Sequence, residues 1–226
     1  MKLIFLLSIF TAVLISAKGQ NLQLHYDMGE GRGYFTSTVE MFRPDSCGST
    51  FFFVDMDYNV GDIKGVSLAY FEIARAVKLF DSSLSFHGEY NGGIFQIPAG
   101  QAVQIEDAWL GGFEYSLSFA DFSRGLTLQA LYKYIRGKHD AAFQLTAVWY
   151  CNLAGGKLSF NGFADWWRED FHFGEETTKF VFQAEPQLWY NITRNFALGS
   201  ELEIDVNFGG LKGFHIMPTI GGKITF

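Results

Sequence analysis

From Phe214 to Phe226 every second residue is apolar or small: Phe214, Ile216, Pro218, Ile220, Gly222, Ile224 and Phe226. His215, Met217, Thr219, Gly221, Lys223 and Thr225 lie between them. A period of two marks a β-strand with one greasy face and one mostly polar face. The strand runs to an aromatic final residue, so the chain stops at a sheet position. That ending predicts a transmembrane β-barrel of the outer-membrane type.

The opposite end predicts export. Lys2 gives a positive start, Leu3 to Ile15 is apolar apart from Ser8 and Thr11, and Ala17-Lys18-Gly19 offers small residues at cleavage spacing. Residues 1–19 therefore read as a secretory signal peptide cut near Gly19–Gln20. The apolar run of about 13 residues is too short for a membrane helix, which needs ~20. Residues 20–226 are expected to form a single barrel domain, because no linker or charge block divides them.

Twelve strand-like segments follow, at 21–29, 33–43, 50–60, 65–77, 84–92, 106–120, 125–136, 141–152, 157–169, 178–191, 195–208 and 213–226. Gly, Asp, Asn and Pro signals separate them. Most match the ~9–11 residues of a tilted membrane strand rather than the ~5–6 of a globular sheet. The 25 Phe residues exceed what a soluble core can bury, whereas a lipid-facing wall needs them. The expected fold class is all-β, a transmembrane antiparallel barrel of about twelve strands.

The alternation assigns the faces. Phe196, Leu198, Leu202, Ile204, Val206 and Phe208 share one side of their segment, and Glu201, Glu203, Asp205 and Asn207 the other. Phe180, Phe182, Ala184, Pro186, Leu188 and Tyr190 oppose Gln183, Glu185, Gln187 and Trp189. Leu22, Leu24, Tyr26 and Met28 oppose Gln23, His25 and Asp27. A charge at the bilayer centre costs roughly 2.5–3.5 kcal/mol, so the polar faces are expected to point inward. With both ends periplasmic, the turns at Pro44–Ser49, Phe80–Ser83, Asp121–Arg124, Leu153–Gly156 and Ile192–Arg194 fall on that side. The outward loops are then Gly29–Arg32, Gly61–Lys64, Gly93–Ile105, Gly137–Asp140, Phe171–Thr177 and Gly209–Lys212. Cys47 and Cys151 both fall near the periplasmic rim, on well-separated parts of the wall, which argues against a disulfide.

Projected together, the inward faces carry Asp27, Glu40, Asp55, Asp57, Glu72, Glu89, Glu114, Asp165, Glu185, Glu201, Glu203 and Asp205, against Lys133 and Lys223 as the clearest bases. Such a lumen repels anions and admits cations or neutral polar solutes. Phe42, Phe51, Phe53, Tyr70, Phe163, Trp167 and Trp189 are also expected inward, where rings can stack on a flat solute or simply form a rim girdle or plug. The net charge of −7 argues against nucleic-acid binding. His25-Tyr-Asp27 and His87-Gly-Glu89 each place a histidine and a carboxylate on one face, a spacing open to general-base chemistry or loose metal binding. Any polar lumen face produces the same spacing by chance. There is no GxSxG, HExxH, CxxC, P-loop or dinucleotide fingerprint.

Three stretches carry a family resemblance: "YFTSTVEMFRPDSCGSTFFFVDMDY" at 34–58, "LTLQALYKYIRG" at 126–137, and "FQLTAVWYCNLAGGKLSFNGFADWW" at 143–167. They resemble the nucleoside-specific channel-forming, Tsx-like outer-membrane family. The resemblance implies a monomeric twelve-stranded barrel whose lumen passes nucleosides, with Glu40, Phe51, Phe53, Asp55 and Asp57 in the matching segment. The chain departs from that family in its shorter outward loops and shorter length.

The expected function is passive passage of small neutral or cationic solutes, nucleosides among them, through an acidic, aromatic-lined lumen. Its lining would comprise Glu40, Phe51, Phe53, Asp55, Asp57, Glu114, Asp165, Trp167, Glu185, Glu201 and Glu203. No cofactor, metal or catalytic residue is implied. The expected partners are outer-membrane lipid, the solute, and the barrel-assembly machinery reading the C-terminal strand. A non-conducting barrel with a binding or structural role is the alternative, followed by an outer-membrane enzyme using His25 or His87.

Overall fold

A computed structural model describes residues 19–98, 100–119, 121–138 and 142–226. The predicted leader thus lies outside the described residues except for Gly19, as do the last two residues of the predicted Gly137–Asp140 loop. The strands are β1 (Gln20–Asp27), β2 (Phe35–Asp45), β3 (Gly48–Tyr58), β4 (Val66–Lys78), β5 (Leu84–Ile97), β6 (Gln101–Ser118) and β7 (Arg124–Ile135). They continue with β8 (Ala142–Leu153), β9 (Leu158–Phe173), β10 (Glu176–Ala184), β11 (Gln187–Asn191), β12 (Phe196–Val206) and β13 (Phe214–Thr225).

Every neighbour is antiparallel, and β1 pairs with both β2 and β13, so the sheet closes on itself. The closing seam runs from Asn21↔Thr225 to Asp27↔Thr219. β10 and β11 both lie between β9 and β12, so the thirteen segments make a barrel of twelve wall positions. The break between them falls at Glu185–Pro186, because proline has no N–H to give to the ladder. Its carbonyl still accepts Leu202 N at 3.0 Å, and Glu185 N still reaches Phe163 O at 3.0 Å.

Closure matters because hydrocarbon offers no partner for a bare sheet edge. The exterior supplies the matching solvent requirement. Leu22, Leu24, Ile73, Phe86, Leu145, Leu198, Ile216 and Ile220 all stand exposed on the outer wall. Left in water, such surface costs about 25 cal/mol per Å². No helix among the described residues is long and apolar enough to cross a membrane; the crossing here is made by strands.

The predicted twelve segments and their alternation match the wall, with four departures. First, the predicted long loop at 93–105 is paired strand. β5 continues to Ile97 and β6 begins at Gln101, with Gly93↔Ile105 through Ile97↔Gln101 in register. Gly92 and Gly93 read as a strand end in sequence, but they sit at a bulge. A Cβ on Gly93 would stand 2.3 Å from Ala69 O, so glycine serves close strand approach there. Second, the predicted loop at 171–177 shrinks to a tight turn, because β9 and β10 pair up to Phe173 and Glu176. Third, the tenth predicted strand is cut by Pro186.

The fourth departure is Phe208, predicted to face lipid. Its ring meets that of Trp167 edge-on at 5.7 Å, and Trp167 is an inward residue. Asn207 has φ +58°, which ends the period of two and turns the next side chain across the barrel mouth. Cys47, in the β2–β3 turn, and Cys151, on β8, are both free thiols.

Candidate functional site: the acidic lumen

Register stacks the inward positions into belts around the wall. One belt runs Ser85, Glu114, Gln129, Thr146, Asp165, Gln183, Asp205 and His215, each paired with the next across β5 to β13. A second joins Glu40, Phe53 and Glu72 on β2, β3 and β4, and a third Thr38, Asp55 and Tyr70. Asp57 lies opposite Thr36. Gln187 sits between Asn161 and Glu201 and bonds both, at 3.0 and 2.5 Å. Phe51, Phe53 and Tyr70 form a ladder of rings 5.9 Å apart on the β3–β4 wall.

Charges act on one another across the lumen: that of Asp55 on β3 bears on Glu185, between β10 and β11, and that of Asp165 on β9 bears on Glu72 of β4. Towards the rim carrying the chain ends, Trp189 is fully buried, and Gln23 and His25 are almost so; Met217, equally covered, lies at the opposite rim beside Gly29. Ala108, Leu110, Leu131 and Ile135 form an apolar patch on the inner wall.

At the other rim the β1–β2 loop folds a side chain inward. Arg32 forms a two-pronged contact with Glu203 at 2.6 and 2.9 Å and a further bond to Asp27 at 2.7 Å. Asp27 also accepts Gly29 N at 2.8 Å, which fixes the start of the loop. Burial works hardest against the Arg32 charge, but the Glu203 and Asp27 carboxylates together outweigh it and hold its pKa above the ordinary value. Arg32 was absent from the sequence-derived lining because it lies outside any alternating segment. The available signal was the run Gly29-Glu30-Gly31-Arg32-Gly33, in which glycine flanks the arginine on both sides.

The two inward lysines are already engaged. Lys133 Nζ lies 4.2 Å from the Trp167 ring centroid, and Lys223 Nζ lies 4.3 Å from that of Trp189. Such contacts contribute ~0.5–2 kcal/mol, depending on desolvation. Trp167 donates its indole N–H to Glu169 at 2.7 Å and is itself buried. Among the described residues the β3–β4 ladder rings, unlike the two tryptophans, carry no lysine.

The predicted histidine pairs separate into two cases. His87 does sit between carboxylates, its Nε2 3.0 Å from Glu89 and its Nδ1 2.9 Å from Glu114. Glu114 also accepts Gln129, at 3.3 Å. His25 contacts Thr219 at 2.8 Å and Gln23 at 3.1 Å, with Trp189 edge-on at 5.4 Å, while Asp27 turns to Arg32 instead. Among the described residues no group of three or more His, Cys, Asp or Glu is arranged to hold a metal ion. A recess of about 510 Å³, lined by Phe113, Leu128, Leu145, Trp166 and Phe182, opens on the outer wall, where acyl chains run.

Among solved structures, the chain is similar to one titled "KdgM porin", with a TM-score of 0.54 at 9% identity, covering 92% of this chain and 98% of that one. It is also similar to the Acinetobacter baumannii outer membrane protein Omp33, with a TM-score of 0.44 at 11% identity, covering 92% and 96%. Among curated proteins no sequence matches. At 9% identity the KdgM likeness speaks to the fold alone, a closed antiparallel β-barrel. That fold, closed and sheathed in apolar side chains, places the protein in the bacterial outer membrane. Residues 19–226 match the model of the domain of unknown function DUF5020, and the chain belongs to that family.

Proposed function

We propose that the barrel is a narrow channel for passive passage of small cationic or neutral polar solutes, with an exported chain cut near Gly19 and delivered to the membrane through recognition of β13. The observation that carries this reading is the charge balance at the mouth away from the chain ends. Asp27 and Glu203 bond the Arg32 guanidinium there, Asp57 and Asp205 feel its charge, and Asp55, Glu185 and Glu201 follow deeper along the wall. A lumen of that sign raises the local concentration of cations and excludes anions.

Nucleosides are the neutral solute that fits the lining best. The Phe51–Phe53–Tyr70 ladder offers ring faces, and Asp55, Asp57 and Glu40 lie beside it as acceptors for sugar hydroxyls. Stacking on such rings contributes ~1–3 kcal/mol per base. The likeness to a porin barrel supports a conducting role, and the Tsx-like resemblance of residues 34–58 supports the solute class.

A second reading, a non-conducting barrel with a binding role, draws on the burial of Trp189, His25 and Gln23 inside the wall. Planar-bilayer recording of the refolded barrel separates the two. The channel reading expects small single-channel steps, selective for K⁺ over Cl⁻ and blocked by uridine or adenosine. Absence of current at every voltage would overturn it in favour of the second.

A further inference from the structure

We infer that the carboxylates around Arg32 form a binding site for an organic cation bearing a guanidinium group, and that Arg32 is its tethered occupant. This deepens the cation-accepting lumen proposed above and rests on it. The geometry of the occupant defines the ligand. Arg32 meets Glu203 through two parallel N–H bonds and reaches Asp27 with a third, the planar fork that distinguishes guanidinium from a point charge. Its side chain remains partly open, at 21% exposure, so the site communicates with the barrel mouth.

A second observation shows that one guanidinium does not satisfy the cluster. Asp205 is 1% exposed, lies beside Glu203, and its Oδ1 finds no hydrogen-bond partner among the described residues. Asp55 Oδ1, two positions along β3 from Asp57, also lacks a partner, and Glu201 and Asp57 bear on it. A covered, unpaired carboxylate oxygen is costly unless a donor reaches it. The inward lysines do not serve, because each stands over its own tryptophan ring. An incoming guanidinium offers five N–H donors, enough for Asp205 and for the acceptors Arg32 now uses. The arm carrying Arg32 has glycine on both sides, with φ +75° at Gly31 and +142° at Gly33, so its backbone has the freedom to yield the site.

The test is calorimetric titration of the refolded, full-length barrel in detergent micelles with agmatine, using uridine as the uncharged control. Agmatine should bind and uridine should not compete at this site. Arg32→Ala should tighten agmatine binding about tenfold by removing the internal competitor. Asp205→Asn should weaken it about tenfold, the equivalent of one charge-assisted hydrogen bond. Asp55→Asn is the second variant, and heat-modifiable gel mobility reports whether each one folds. Failure of agmatine to bind Arg32→Ala, or unchanged affinity in whichever carboxamide variant folds, would overturn the inference. Bilayer recording on the same preparations keeps the two readings apart. Current without agmatine binding defeats the site alone, and agmatine binding without current defeats the channel alone.

Discussion

Lys223 Nζ stands 4.3 Å from the centre of the Trp189 ring, on the inner wall beside the barrel seam. Trp189 is fully buried and gives its indole N–H to Gln187 at 2.9 Å, so the pair fills part of the lumen near the rim of the chain ends. Replacing Trp189 with Ala should destabilise the barrel by about 3–5 kcal/mol in urea titrations, as for other buried tryptophans. The same variant should raise single-channel conductance. Lys223→Met, which keeps the bulk but loses the charge, should change stability by less than about 2 kcal/mol and increase cation selectivity.

Gly199 lies beneath that tryptophan. A Cβ there would stand 2.3 Å from Leu188 O and 2.5 Å from Trp189 Cε3. Gly199→Ala should therefore push the indole off the wall, at about 1–3 kcal/mol for an overpacked position. The near-UV circular dichroism of the barrel should lose intensity while its far-UV spectrum stays that of a β-protein.

The lipid face makes a separate prediction. Leu24 is 51% exposed on the outer wall in the middle of β1. Leu24→Arg should cost about 2–4 kcal/mol in folding into lipid vesicles, the range for arginine at the midplane of a barrel. Glu175→Arg, in the β9–β10 turn, should stay within about 0.5 kcal/mol.

Two free thiols predict a labelling pattern. Cys47 is exposed in a turn, whereas Cys151 is part-covered on β8. A maleimide reagent should modify Cys47 rapidly in the folded barrel and Cys151 only slowly, with both reacting in denaturant. Gel mobility should be the same with and without reductant.

The wall was legible in the sequence because strand side chains alternate, and hydrocarbon punishes any inward–outward error. Glu201, Glu203 and Asp205 could be placed on one face without coordinates, and β12 places them there. Departures cluster where the period stops carrying information. Gly92 and Gly93 look like a strand end in sequence, since a glycine pair gives the same signal for a turn and for close packing. Phe208 follows a left-handed Asn207, so its side is set by a backbone angle rather than by parity. Arg32 acts from a loop, where no periodicity exists and position depends on the carboxylates that capture it. The lysine–tryptophan contacts depend on rotamers across strands, which the one-dimensional pattern does not encode.

The seam sets how this molecule can come into being. Phe226 N donates to Gln20 O at 3.0 Å, and Thr225 faces Asn21, so partners roughly 200 positions apart meet there. Every other junction in the wall is a hairpin or a near neighbour, free to zip up from local contacts. Until β13 arrives, the unfinished sheet presents two raw margins, and lipid tolerates neither. Clipping the last strand would therefore not yield a slimmer pore of eleven staves. It would leave a curled ribbon with no home in water or oil, because closure of the whole wall rests on that one junction.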